Sequence, residues 1–87
     1  MLFKGTGGHM EQKDIIKAMR QESGMTQREF AGYFGIPYRS IENWEEGSRK
    51  VPDYLLRLMA YRLQIEKRIG DHPEWTGLDL KAMGLSN

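Results

Sequence analysis

The stretch GMTQREFAGYFGIPYRSIENWEEG, residues 24–47, decides the fold because it holds two short helical patterns separated by a single turn. Thr26 is a favourable N-cap, and Glu29 three residues later completes a capping-box signature. Gly35 supplies the left-handed backbone that commonly ends a helix. The inward face of this helix is predicted to carry Phe30, Ala31 and Phe34.

The second helical pattern begins at Pro37, which fits the first position of a helix because its missing N–H costs nothing there. Gly47 ends this helix. One side carries Ile41, Trp44 and Glu45, and the opposite side carries Arg39, Asn43 and Glu46. Such a polar outer side is either an ordinary solvated surface or a surface that meets a polar and specific partner.

Two further helical patterns flank this pair. The first runs from Glu11 to about Ser23 with Ile15, Ile16 and Met19 on one stripe, and the longer one runs from Pro52 to Gly70. The apolar stripe of the longer helix is predicted at Leu55, Leu58, Met59, the stem of Arg62, Ile65 and Ile69, with Tyr54, Leu56, Tyr61 and Leu63 adding more apolar surface. Because no stretch alternates as a strand does, the fold class is all-α, a compact four- to five-helix bundle containing a helix-turn-helix.

Composition divides the chain into three segments. Residues 1–10 contain three glycines and no periodic pattern, so they are interpreted as a flexible leader or a cloning remnant. Residues 11–69 form the helical domain. Residues 70–87 form a C-terminal tail, for which we expect a short helix capped by Thr76 and stopped by Gly84.

The bulk composition excludes several kinds of site. The 87 residues include no cysteine, which rules out a disulfide framework and a cysteine metal site, and His9 and His72 lack metal-ligand spacing. We therefore expect no metal and no other cofactor. The formal charge is only +1, from 13 basic and 12 acidic residues, so the distribution of charge has to carry any argument for nucleic acid.

The central part of the chain, about residues 15–59, resembles the helix-turn-helix of the Xre/Cro family, the lambdoid phage repressor type. The resemblance lies in the TQ opening of the second helix, the spacing of Ala31 and Gly35, the hydrophobic residue after that glycine, the S-I-x-x-W-E run, and a glycine, basic residues and a proline at the exit. It implies a protein that binds double-stranded DNA. The leader and the tail after about Arg68 lie outside it.

Helix-turn-helix proteins place their second helix in the major groove, where its N-terminal residues contact base edges. By this resemblance Tyr38, Arg39 and Asn43 fall at the base-reading positions. Arginine can form a bidentate pair with guanine O6 and N7, and asparagine can do so with adenine N6 and N7. The Tyr38 hydroxyl can meet a base edge or a phosphate, and its ring can pack on a thymine methyl group. A solvated helix face remains the alternative.

Contacts to the DNA backbone are predicted at Gln27, Arg28, Ser40, Arg49 and Lys50. Gln27 and Arg28 lie at the start of the helix that Thr26 caps, where side chains and backbone amides can hold a phosphate. The last two lie in a basic loop that the family uses for the same purpose, although a solvated charge pair is the alternative. Ser40 could equally cap and pack.

The acidic residues of the third helix fall into two groups. The family places a charged partner for Glu45 on the first helix, and Arg20 stands at that place, so we expect a structural Arg20–Glu45 ion pair. Glu42 and Glu46 lie on or beside the proposed DNA face, where they would repel phosphates. Glu42 could accept from a cytosine amino group, but a solvent-facing or intraprotein role is favoured, and neither position is explained by the sequence.

Specific affinity usually needs more base contacts than one recognition helix provides. The surplus apolar residues are Tyr61, Ile65, Ile69, Trp75, Leu78, Leu80, Met83 and Leu85. They either fold back onto their own core or pair with a second copy. We favour a homodimer through helix four and the C-terminal tail, bound to an inverted repeat with half-sites ~34 Å apart.

The leading hypothesis is a sequence-specific DNA-binding transcriptional regulator, a dimeric repressor that reads the major groove with the helix from about Pro37 to Glu46. The alternative is an antitoxin-like or phage-encoded adaptor that holds a protein partner on the same scaffold. No catalytic triad and no glycine-rich phosphate loop is present, so we expect no enzymatic activity. No apolar run could span a membrane or form a signal peptide, so we expect a cytoplasmic, nucleoid-associated protein.

Overall fold

Five helices make up the part of the chain that the computed structural model describes, residues 11–76. They are α1 Gln12–Ser23, α2 Gln27–Phe34, α3 Tyr38–Glu46, α4 Asp53–Ile65 and α5 Pro73–Thr76. No strand occurs among residues 11–76. The prediction of an all-α bundle with a helix-turn-helix is therefore confirmed. The leader, the expected helix after Thr76, and Leu78, Leu80, Met83 and Leu85 lie outside the described residues.

Local sequence signals set the ends of α2. The Thr26 hydroxyl accepts from the backbone N–H of Glu29 at 3.1 Å, and the Glu29 carboxylate accepts from the backbone N–H of Thr26 at 2.8 Å. This is the predicted capping box. Gly35 ends the helix with φ of 68°, a left-handed value that glycine adopts without steric cost. The chain then turns, because the Ile36 N–H donates back to the Ala31 carbonyl at 2.9 Å.

The hydrophobic core is formed by side chains from α1, α2, α3 and α4 and from the segments that connect them. Its largest fully buried side chains are Phe30, Ile16, Met19, Ile41, Met59, Leu63 and Val51. The Phe34 ring packs edge-on against the Phe30 ring, with centroids 5.0 Å apart, at the margin of this core. Burying side chains of this size contributes roughly 1.5–3 kcal/mol each, so the core fixes α3 firmly against α1 and α2.

Helix α4 differs from its prediction in length. The sequence pattern predicted a helix to Gly70, but α4 ends at Ile65. Lys67 adopts the left-handed conformation with φ of 60°, and the Arg68 N–H donates to the Leu63 carbonyl at 2.8 Å. This turn stops the helix without a glycine and brings Ile69 back into the core.

The inward face of α4 was predicted correctly only in part, since Met59 is buried as expected but other residues of the predicted stripe are not. The buried residues are Leu56, Met59, Ala60 and Leu63, together with Gln64. Leu58 and Ile65, which were placed on the inward stripe, are 59% and 39% exposed, and Tyr54 is 70% exposed. The helix carries apolar residues on two sides, and the small Ala60 side chain favours the close packing of the side that is buried.

The helices that follow the two prolines each begin one residue later than predicted. Pro37 and Pro52 are N-caps of α3 and α4, with extended ψ values of 136° and 138°, and the helices begin at Tyr38 and Asp53. An extended N-cap precedes the first helical residue, so a proline there loses no helical hydrogen bond.

The segment after α4 folds back over α1 and α4. Trp75 is buried and stacks on the His72 ring, with centroids 3.9 Å apart and planes inclined by 15°. Thr76 is the last residue of α5 and is buried, and the helix that we expect it to cap lies outside the described residues. The side chains of Ile69 and Trp75 are therefore buried within the chain itself and are not available to pack against a second copy.

His72 connects the segment after α4 to α1 through its hydrogen bonds. Its Nε2 lies 2.8 Å from Glu22 on α1 and its Nδ1 lies 2.9 Å from Glu74 on α5. Burial lowers the pKa of His72, but the hydrogen bonds and negative charges of Glu74 and Glu22 raise it more, so the pKa lies above its usual value of 6.5. The hydrogen bond from His72 in turn lowers the pKa of Glu74.

Candidate nucleic-acid interface

Helix α3 has one side fixed to the domain and one side open. Ile41 and Glu45 are buried, and Trp44 is half-buried against the core. On the opposite side the Arg39 side chain is 82% exposed, and Asn43 is partly exposed one turn later. Residues spaced by four lie one above the other on a helix, so these two side chains share the open face.

A buried network holds the inward side of α3 to α1 and α2. Arg20 donates to Glu45 twice, from Nε to Oε2 at 2.6 Å and from Nη2 to Oε1 at 3.0 Å. Its Nη1 donates to the Met25 carbonyl at 3.1 Å. The hydrogen bond to Glu45 raises the pKa of Arg20, so the guanidinium stays charged and the pair remains ionic.

Gln27, expected at a DNA phosphate, also belongs to this network. Its side-chain Nε2 donates to Glu45 Oε1 at 3.2 Å. Because one amide hydrogen is used in this bond, the second hydrogen on Nε2 is the one that a phosphate oxygen could accept. The network therefore connects the start of α2 to the inward side of α3.

Arg28 and Tyr38 form a contact that was not expected from the sequence. The Arg28 guanidinium lies 4.1 Å from the centroid of the Tyr38 ring. A cation over an aromatic face is attracted by the ring's negative face, and this contact joins the exposed starts of α2 and α3. One face of the Tyr38 ring is therefore covered by a positive charge.

The two glutamates on the open side have partners within α3 and the loop after it. Glu42 Oε1 lies 3.5 Å from Arg39 Nε, and Glu46 Oε1 accepts from Ser48 Oγ at 3.2 Å. Ser48 Oγ also lies 3.4 Å from Asn43 Oδ1. Ser40, between these residues, is half-buried.

The basic loop after α3 lies beside the start of α1. Arg49 and Lys50 are exposed and line a shallow groove with Trp44 and Lys13. The Cδ atom of Lys13 lies 3.0 Å from the point where a Cβ on residue 47 would stand. Sequence reasoning missed Lys13 as a third cation at this surface, because nothing local indicates that the first turn of α1 packs beside Gly47.

The predicted residues thus occupy one continuous part of the domain: the start of α2, the open side of α3 and the loop behind it.

Among residues 11–76 no group of acidic, histidine or cysteine side chains could hold a metal ion. Within the same residues, no helix combines the length and the apolar character needed to cross a membrane.

Comparison with known protein families agrees with this geometry. A model of the helix-turn-helix family matches residues 16–67, which is more than half of the chain. The chain therefore belongs to this family of DNA-binding proteins, and its helix-turn-helix is of the Xre/Cro type. No curated protein and no solved structure matches it significantly.

The matched region contains both helices of the helix-turn-helix. It includes α2, the Gly35 turn and α3, and it ends just beyond α4. Helix α3 is the second helix of this pair, and the second helix is the one that enters the major groove in known helix-turn-helix complexes. The protein is accordingly a DNA-binding helix-turn-helix regulator.

Proposed function

We propose that this protein is a sequence-specific transcriptional repressor that binds an inverted repeat as a homodimer. The observation that carries the proposal is the two-sided character of α3. Ile41 and the Arg20–Glu45 pair hold one side, and the exposed Arg39 and the partly exposed Asn43 stand on the other. A rigidly held helix with a polar open side suits base reading.

Three side chains of α3 are proposed to read bases. Arg39 pairs with guanine O6 and N7, and Asn43 pairs with adenine N6 and N7. Tyr38, whose ring is covered on one face by Arg28, contacts a base edge or a thymine methyl group. Proposed contacts to phosphates are Gln27 and Arg28 at the start of α2, Ser40 within α3, and Arg49, Lys50 and Lys13 at the loop after α3.

A homodimer is supported by an exposed apolar face on α4. Tyr54, Leu58 and Ile65 point away from the core and are 70%, 59% and 39% exposed, and the half-buried Tyr61 lies between them. Their spacing of four, three and four residues places them on one side of the helix, opposite Leu63. Covering this face with the same face of a second copy would give the two recognition helices that specific affinity requires.

The reading of bases is tested by selecting bound sequences from a random DNA pool at a stated salt concentration. Each of Arg39→Ala and Asn43→Ala should cost about 1–3 kcal/mol on the preferred site and relax the preference at one position. Arg57→Ala is the matched control, since it removes one exposed positive charge from α4 instead of α3. If neither α3 variant differs from this control, base reading by α3 is wrong.

Contacts to phosphates have a different signature. Lys50→Ala should weaken binding to all sequences alike and should lower the slope of affinity against salt by about one. The preferred sequence should stay the same. A change of preferred sequence in Lys50→Ala would instead place this lysine in the groove.

The dimer is tested by analytical ultracentrifugation of the full chain. Leu58→Lys should shift the protein toward monomer, because a charge would be buried in the interface. Gln21→Lys puts the same side chain on an exposed position of α1 and should leave the mass unchanged. The selected DNA should show two half-sites related by symmetry.

A second candidate function is an antitoxin-like adaptor that binds another protein. The same exposed face of α4 favours it, because an apolar face of this kind can be covered by a different chain. A wild-type protein that is monomeric at every concentration tested, and that selects a single half-site, would favour the adaptor over the dimeric repressor.

A further inference from the structure

An acidic side chain stands on the open side of the recognition helix, next to the arginine proposed to read a base. Glu42 Oε1 lies 3.5 Å from Arg39 Nε, and the two residues are three positions apart on α3. The Glu42 side chain is 40% exposed. Phosphates repel a carboxylate at this place, so its presence has to be offset by another interaction.

The ion pair between Arg39 and Glu42 leaves hydrogen-bonding groups on both side chains unused. Glu42 approaches the Nε of the guanidinium, whereas the bidentate reading of guanine can use the two Nη groups. The second carboxylate oxygen of Glu42 has accepting capacity of its own. The pair therefore presents two donors and, beside them, an acceptor.

This order of groups matches the major-groove edge of one base pair. A G·C pair presents N7 and O6 of guanine as acceptors and the N4 amino group of the paired cytosine as a donor. In the reversed C·G pair the same positions would place the carboxylate against the guanine acceptors and the guanidinium against the amino group. Both contacts would then be repulsive.

We propose that Glu42 determines specificity by reading, together with Arg39, a single G·C base pair in one orientation. Arg39 binds the guanine and Glu42 accepts from the N4 amino group of its cytosine. The inference rests on the proposed reading of bases by α3. It assigns Glu42 a function that offsets its repulsion from the DNA backbone.

The experiment is the selection from a random pool carried out with Glu42→Gln and with Glu42→Ala. Glutamine keeps the size of the side chain but adds N–H donors, which the reversed guanine can accept. Preference for G·C over C·G should fall roughly tenfold in both variants. The affected position should be the base pair whose preference is lost in Arg39→Ala.

Glu46→Gln is the matched control, because it makes the same change of charge on α3 one turn later. It should leave the preference at that base pair intact. Thermal unfolding should be unchanged in all three glutamate variants, since these side chains are exposed or half-exposed.

Three outcomes would overturn the role of Glu42. The variants could retain every preference of the wild type, they could bind all sequences equally more tightly, or Glu46→Gln could change the same base pair equally. The second outcome would show that Glu42 only repels phosphates. A wild-type protein that selects no sequence at all would instead refute the proposed function, before any comparison of variants.

Discussion

Two arginine–glutamate pairs involve α3, and they differ mainly in burial. The side chains of Arg20 and Glu45 are 16% and 3% exposed and lie 2.6 Å apart, whereas those of Arg39 and Glu42 are 82% and 40% exposed and lie 3.5 Å apart. Breaking a buried pair strands a charge, while an exposed pair exchanges its partner for water or another ligand at little cost. The same chemistry therefore fixes one side of the helix and leaves the other side free to bind.

The largest expected effect is the loss of the buried carboxylate. Glu45→Ala should lower the free energy of unfolding by about 3 kcal/mol, because Arg20 would keep its charge without its partner. Gln27 would lose its acceptor as well. Urea denaturation followed by circular dichroism measures the change.

Glu46→Ala is the control for this comparison, because it removes an exposed carboxylate from the next position of α3. Its effect on unfolding should stay within about 0.5 kcal/mol. Equal effects of the two variants would show that burial does not distinguish the two sides of α3.

His72 is intermediate in burial between these two pairs, and its ion pairs with Glu22 and Glu74 depend on its protonation. Its pKa is raised in the folded state, so its stabilising contribution is fully present below the unfolded pKa and is lost as pH rises through the folded pKa. The wild type should therefore lose up to about 1 kcal/mol of stability between pH 5 and pH 8 that His72→Gln does not lose. Denaturation of both proteins at several pH values tests this.

The stability that is lost as the pH rises should come from the contacts of His72 with Glu22 and Glu74. Glu22→Gln removes its contact on α1 and should reduce the pH dependence without abolishing it, because Glu74 remains. A stability of the wild type that rises with pH over this range, relative to His72→Gln, would contradict the raised pKa.

The smallest expected effect on stability is that of Arg39→Ala. An exposed ion pair contributes little, so the free energy of unfolding should change by less than about 0.5 kcal/mol. The preference for one base pair should nevertheless be relaxed in the same variant. A fall in stability comparable to that of Glu45→Ala would mean that Arg39 belongs to the structural side of the helix.

The sequence was sufficient for the parts of the fold that local chemistry controls. The capping box at Thr26 and the glycine that ends α2 are each encoded within a few residues, and the structure has both. Arg20 and Glu45 are distant in sequence, and only the resemblance to a known family brought them together. The two-sided pattern of α3 followed from its helical period alone.

The sequence was insufficient where more than one arrangement satisfies the same pattern. Helix α4 has apolar residues on two sides, so periodicity fits both the buried face with Leu63 and the exposed face with Leu58. The packing of α1 and α5 decides between them. Likewise, the position of Lys13 beside Gly47 depends on how whole helices pack and has no local signal.

The stacking of His72 on Trp75 gives the protein an internal optical probe. A protonated imidazole quenches indole fluorescence more strongly than a neutral one, and here the two rings are nearly parallel at 3.9 Å. Replacing the only other tryptophan, Trp44, by phenylalanine would leave Trp75 as the sole tryptophan, which can be excited selectively over the four tyrosines. The brightness of that variant would then follow the proton on His72 directly, without unfolding the chain.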